Sequence, residues 1–158
     1  MSNFRIGRAD TEHMSLRIVG RTTNVPGSWE VNLMDVEVEI VVGGFKGLFR
    51  VKLALGHLAQ LRDELAQLHS FDLRELAFEP YLSPYNSNLI FKIKGDGLGN
   101  FIADFDVADE PGNQLEFRLS FDQTEIPEML KGLDAMLTEY PFLDHSNSTR
   151  PSNSLAGE

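Results

Sequence analysis

The residues most capable of chemistry are four carboxylates close together in the chain, Asp104, Asp106, Asp109 and Glu110. We predict a strand here, on which Asp104 and Asp106 point to one face because strand side chains alternate between faces. A Ca²⁺ ion needs several oxygen ligands within about 2.6 Å, and only these two residues clearly share a side. The pattern favours a solvated sheet face, with contact to a basic partner protein as the main alternative.

A glycine-rich stretch at 95–100, with the sequence Gly-Asp-Gly-Leu-Gly-Asn, has the composition of a phosphate-binding loop. In dinucleotide-binding folds such glycines lie between a strand and a helix, so that the phosphate meets the helix N-terminus. Here a second strand pattern follows, beginning at Phe101. We therefore predict a hairpin loop.

Residue types and spacing exclude several other kinds of site. The chain has no cysteine, which excludes disulfide scaffolds, zinc ribbons and thiol nucleophiles. Its four histidines never stand three or four residues apart, as a helical metal clamp requires. We expect no catalytic residue, no metal and no cofactor, although two carboxylates could still meet in space as they do in some hydrolases.

The overall charge bears on the class of partner. Fourteen Lys and Arg against 24 Asp and Glu give the 158-residue chain a net charge of −10. Such a chain repels phosphate backbones, so we expect no nucleic-acid partner, whereas acidity suits a basic protein or simply maintains solubility. The N-terminus carries charges where a signal peptide needs an apolar run, and no stretch approaches the ~20 apolar residues of a membrane span. We expect a cytoplasmic protein.

The pair Gly43-Gly44 predicts a two-residue hairpin turn, because glycine tolerates the positive φ angles that such turns need. Folding the chain there pairs Val42 with Phe45, Val38 with Phe49 and Val36 with Val51 on one apolar face. On the opposite face the same register pairs Glu37 with Arg50 and Asp35 with Lys52. Two opposite-charge pairs from one register support the prediction.

Hydrophobic periodicity predicts an α+β fold, mainly an antiparallel meander of about seven strands with two amphipathic helices. One strand resumes at Trp29, and its change of phase predicts a bulge or bend near Met34-Asp35. The helices are predicted over 57–69 and, with Thr124 as the N-cap, from there to Pro141. We predict one domain over 1–143 and a flexible tail over 144–158.

Several pieces of the chain resemble the WapI-like family of bacterial immunity proteins. They are Trp29 before a long strand, the helix start at 55–58, the phrase Leu-Ala-Phe-Glu-Pro-Tyr-Leu at 76–82, and the closing Tyr140-Pro141. Members of that family are thought to bind and neutralise a toxin made by the same cell. The resemblance implies a cytoplasmic binding protein without a cofactor, and it supplies no catalytic residue.

We therefore predict a non-catalytic protein that binds a basic toxin through an acidic face. The candidate residues for that face are Glu37, Glu39, Asp104, Asp106, Asp109 and Glu110. One alternative is a regulatory or assembly module that forms a homodimer through an exposed sheet edge. Another is a carboxylate-dependent hydrolase, which would need a concave site holding two acidic groups with shifted pKa values.

Overall fold

The computed structural model describes residues 2–23, 25, 28–80 and 86–143, with only the backbone at Trp29. The chain forms two four-stranded antiparallel sheets, each with its strands in chain order and each followed by a helix. The first unit contains β1 (Phe4–Gly7), β2 (His13–Arg21), β3 (Leu33–Val42), β4 (Phe45–Ala54) and α1 (Leu55–His69). The second contains β5 (Glu75–Phe78), β6 (Asn88–Gly95), β7 (Asn100–Ala108), β8 (Gln114–Asp122) and α2 (Ile126–Glu139).

This architecture confirms the predicted α+β class with two helices, and the described residues form eight strands where about seven were expected. The strand that sequence analysis did not identify is β1, whose Phe4 and Ile6 are fully buried. The loop predicted over 95–100 does connect two antiparallel strands, β6 and β7, as a hairpin, although its end residues Gly95 and Asn100 belong to the strands. The tail predicted over 144–158 and residues 81–85 of the loop before β6 lie outside the described residues.

The predicted hairpin at Gly43-Gly44 is confirmed residue by residue. Val42 lies opposite Phe45, and the ladder runs without interruption to Leu33 opposite Ala54. Gly43 adopts a φ of 56°, which explains the need for glycine in this turn. On the outer face Lys52 contacts the carboxylate of Asp35 across the two strands, as the predicted register requires.

The start of β3 differs from the prediction. Residues Trp29–Asn32 form a short 3-10 helix, and the Oγ atom of Ser28 caps it by accepting a hydrogen bond from the backbone N–H of Glu30 at 3.2 Å. The irregularity expected near Met34-Asp35 lies on the neighbouring strand, where β2 shifts register between Ile18 and Gly20. The extra residue bends β2, while β3 keeps a regular ladder to β4.

The two helices pack on the sheets and on each other. Helix α1 begins two residues before the predicted start, and five of its leucines are buried. Helix α2 follows a 3-10 turn that is capped by Asp122, whose carboxylate accepts from the N–H of Thr124 at 2.9 Å, so Thr124 is not the cap that was predicted. Arg62 of α1 joins Asp134 of α2, with Nε 2.8 Å from Oδ1. Among the described helices, none is long and apolar enough to cross a membrane.

Candidate functional site

The outer face of the second sheet carries the acidic cluster predicted around β7. Asp104 and Asp106 alternate with Ala103, Phe105 and Val107, which are buried in the core, so both carboxylates lie on the opposite, outer side. Neighbouring acidic residues come from β8 and from the loop between these two strands. We call this set the acidic surface: Asp104, Asp106, Asp109, Glu110 and Glu116.

A row of phenylalanines on the inner face holds the strands that carry the acidic surface. Successive ring centroids are 5.0, 5.1 and 4.5 Å apart, and the last pair is nearly parallel at 5°. The rings belong to Phe78, Phe91, Phe105 and Phe117, one from each strand of the sheet. Each aromatic pair contributes about 0.5–1.5 kcal/mol beyond its buried area. Asp106 and Glu116 are chain neighbours of the last two rings, so they project from a well-packed pair of strands.

Asp104 has its charge balanced within the sheet. Nε of Arg118 on β8 lies 2.7 Å from its Oδ1 atom, and Lys92 on β6 occupies the position opposite it on the other side. The hydrogen bond from Arg118 to Asp104, together with the attraction between their charges, raises the pKa of Arg118. On the outer face, Asp104 therefore forms an exposed ion pair with Arg118 and has a second cation, Lys92, on its other side.

Asp106 has a different environment, because neither residue directly opposite it is a cation, while Lys92 and Arg118 lie diagonally across from it. It lies opposite Glu116 on β8 and opposite Ile90 on β6. Within the described part of the chain, neither carboxylate forms an ion pair. Like charges directly opposite each other on paired strands destabilise a sheet. Repulsion between the carboxylates of Asp106 and Glu116 therefore destabilises the folded chain.

The loop between β7 and β8 uses Asp109 to shape its own backbone. The Oδ1 atom of Asp109 accepts from the N–H groups of Gly112 and Asn113 at 3.0 and 2.8 Å, and Oδ2 accepts from the Asn113 side chain at 3.0 Å. The hydrogen bond from the Asn113 side chain is the main reason why the pKa of Asp109 is lowered. The exposed Glu110 accepts from the backbone N–H groups of Asn86 and Ser87 at 3.2 and 3.3 Å.

Glu37 and Glu39, the other two residues predicted for the acidic face, lie on β3 in the first sheet. An oxygen of Glu37 is 2.5 Å from Nη2 of Arg17 on β2. An oxygen of Glu39 is 3.1 Å from Nε2 of His13, whose Nδ1 lies 3.1 Å from the carbonyl oxygen of Arg8. The structure therefore divides the six predicted residues between two sheets, and both β3 carboxylates have a basic side chain beside them.

The two sheets differ in charge. The strands of the first sheet carry three acidic residues, all on β3, and six basic ones: Arg5, Arg17, Arg21, Lys46, Arg50 and Lys52. The strands of the second sheet carry three basic residues and five acidic ones: Glu75, Asp104, Asp106, Glu116 and Asp122. The outer face of the second sheet is thus the part of the β-structure that a basic partner would favour.

Three described carboxyl groups have a pKa that is displaced toward the charged form. The carboxyl groups with displaced pKa values are Asp96, Asp109 and Asp122, and all three pKa values are lowered, chiefly by side-chain hydrogen bonds from Asn100, Asn113 and Thr124. A general acid needs a raised pKa instead. Among the described residues, no group of three or more His, Asp or Glu side chains could hold a metal ion.

A cleft of about 640 Å³ lies between the β1–β2 region and the start of α2. Its charged lining includes the cations Arg5, Arg8 and Lys131 and the carboxylates Asp10 and Glu128. With both signs present on open walls, this cleft does not select a ligand by charge. A second cleft of about 290 Å³ brings Glu110 near the cations of β4.

Glu116 is the member of the acidic surface that sequence analysis missed. Its signal was the register of the β7–β8 hairpin, in which Ala108 lies opposite Gln114 and therefore Asp106 opposite Glu116. The connecting loop repeats the pattern of the β6–β7 loop, an Asp followed four positions later by an Asn that binds it. Recognising this shared loop type would have fixed the register and identified the pair.

Comparisons with known proteins identify the family to which the sequence belongs. The crystal structures of MRP1/MRP2 from Trypanosoma bruciei are similar to the chain at 12% sequence identity and a TM-score of 0.44, over 89% of this chain and 85% of the other. No curated protein matches the sequence significantly. The sequence profile of the WapI-like immunity protein family matches residues 5–141, which is most of the chain. The chain therefore belongs to the WapI-like immunity protein family.

Proposed function

We propose that this protein neutralises a bacterial toxin by binding a basic region of it with the acidic surface of the second sheet. Membership of an immunity-protein family supports a toxin as the partner. The choice of surface rests on the cross-strand pair Asp106–Glu116, in which two carboxylates lie directly opposite each other and neither forms an ion pair with a described residue. A Lys or Arg side chain of a partner placed between them would turn this repulsion into attraction.

The members of the acidic surface differ in what they can offer such a partner. Asp106 and Glu116 are free of intramolecular ion pairs within the described residues, so they contribute most. Asp104 already binds Arg118, and Asp109 uses both of its oxygens to shape the loop. Glu110 is exposed and contributes charge near the edge of the surface. Glu37 and Glu39 contribute least to this surface, because they lie on the other sheet beside Arg17 and His13.

Electrostatic complementarity of this kind acts mainly on the rate of association. A charged face raises the association rate by about 10–10³-fold at low salt, and the advantage falls steeply as ionic strength rises. The net charge of −10 extends the same attraction over the whole molecule. We therefore expect binding to the toxin that is fast and weakens with salt.

The proposal is tested by quantitative capture from a lysate of the source cells. The baits are the wild type, Asp106→Lys/Glu116→Lys, and the control Asp63→Lys/Glu139→Lys, which makes the same change in net charge on the helices. We expect one basic protein on the wild-type and control baits, with at least tenfold less on the double variant of the acidic surface. Equal recovery on all three baits would contradict the assignment of this surface.

A further inference from the structure

Strand β4 forms one edge of the first sheet, and its first half is open. It pairs with β3 on one side, and no strand of the described chain pairs with its other side. In the second half the inner-face side chains Val51 and Leu53 are packed in the core, at 2% and 1% exposed. In the first half Phe45 and Leu48 are 67% and 66% exposed. The segment Phe45–Arg50 therefore presents unpaired backbone groups beside exposed apolar side chains.

The two exposed apolar residues lie on opposite faces of the sheet. Phe45 lies opposite Val42 on the inner face, whereas Leu48 lies opposite Glu39 on the outer face. A strand added at this edge would find an apolar contact on each of its own faces, in addition to main-chain hydrogen bonds. These are the two components of peptide recognition by strand addition.

The charges of this edge indicate what kind of strand it would accept. Lys46 and Arg50 flank Leu48 on the outer face, and both are exposed. Within the described chain neither forms an ion pair, and the carboxylate of Glu37, opposite Arg50, binds Arg17 instead. Pairing with a second copy of β4 would bring further cations to the same face. An acidic strand would complement them.

We propose that the Phe45–Arg50 edge binds an extended acidic segment of another protein as an additional β-strand. Lys46 and Arg50 would each contact a carboxylate, and an apolar residue between those carboxylates would cover Leu48. This edge belongs to the first sheet and is opposite in charge to the acidic surface, and the two adjoin only at the cleft that Arg50 and Glu110 both line. The two proposals can therefore fail independently.

The test uses two fluorescein-labelled octapeptides with blocked ends, one with Glu at positions 2 and 6, Val at positions 3, 4 and 5 and Thr elsewhere, and the other with Lys in place of both Glu residues. Because positions 2, 4 and 6 of a strand share one face, two charges flank an apolar residue there, as Lys46, Leu48 and Arg50 require. Binding is measured by fluorescence anisotropy at 0.15 M salt, where the Debye length of about 8 Å limits the influence of distant charges. We expect wild-type protein to bind the acidic peptide at least tenfold more tightly than the basic one. Lys46→Glu/Arg50→Glu should reverse this preference, and an acidic peptide with two central prolines should bind at least tenfold more weakly.

Further variants separate the possible outcomes. Circular dichroism will show whether the double variant folds. If it does not, Lys46→Glu alone takes its place; this residue lies opposite the uncharged Val41, and its reversal should reduce binding of the acidic peptide. Asp106→Lys/Glu116→Lys should keep the wild-type preference for the acidic peptide over the basic one, which distinguishes this site from the acidic surface. The proposal is overturned if charge reversal leaves the preference unchanged or the proline peptide binds equally well. It is also overturned if sedimentation shows a dimer that Leu48→Glu abolishes, because the occupant would then be a second copy.

Discussion

Replacing Asp106 by Lys should stabilise the fold while weakening toxin binding. In the wild type, Asp106 lies directly opposite Glu116 on the outer face, and neither forms an ion pair with a described residue. Removing a repulsive cross-strand pair and creating an attractive one each contribute about 0.2–1 kcal/mol, so the unfolding free energy should rise by about 0.4–2 kcal/mol. For a chain of this size 1 kcal/mol corresponds to about 2–4 °C in Tm. We expect a Tm increase of about 1–8 °C.

The assay is thermal unfolding followed by circular dichroism at 0.02 and 1 M NaCl. In 1 M salt the Debye length is about 3 Å, so interactions between exposed charges are strongly screened and the increase in Tm should be smaller. Asp104→Lys is the matched control, because it destroys the ion pair with Arg118 and should lower Tm instead. An Asp106→Lys protein with unchanged or lower Tm at low salt would refute the claim that repulsion with Glu116 is present in the folded chain.

Three further predictions concern the scaffold. Gly132→Ala should destabilise the chain by about 1–3 kcal/mol in urea unfolding, because a Cβ there would lie 2.2 Å from the carbonyl oxygen of Asn3. Asp122→Ala should lower the urea midpoint of unfolding by removing the cap before α2, and Thr124→Ala should lower it less. Burial lowers the pKa of His57 below 6.5, so as the pH drops below 6.5 the unfolded chain takes up this proton before the folded chain does, and the free energy of unfolding should fall. His57→Gln should flatten this pH dependence of the unfolding free energy, measured by urea unfolding. An unchanged pH dependence in the variant would contradict the prediction.

Local chemistry made much of the fold predictable. Gly43-Gly44 and the alternation on either side defined the β3–β4 register, which the structure reproduces at every pair from Val42 to Leu33. By contrast, β1 has only two buried apolar residues, and its strand conformation depends on pairing with β2 and packing against α2. A strand of only four residues is too short for its hydrophobic pattern to predict such contacts with distant parts of the chain.

The candidate site was predictable only in part, for a related reason. Alternation along a strand was enough to place Asp104 and Asp106 on one face. The opposition of Asp106 and Glu116 required the register across the next hairpin, which depends on how Asp109 organises the loop. The separation of Glu37 from these residues depends on how the chain divides into two sheets, and a period of two does not determine that division.

The central claim is that this chain protects a cell from a toxin by binding it through the acidic surface. The most direct measurement is growth of cells that express the captured basic protein together with one of the three bait variants. We predict growth arrest with the captured protein alone, rescue by the wild type and by Asp63→Lys/Glu139→Lys, and loss of rescue with Asp106→Lys/Glu116→Lys. A captured protein that is harmless, or full rescue by the acidic-surface variant at equal expression, would contradict the account.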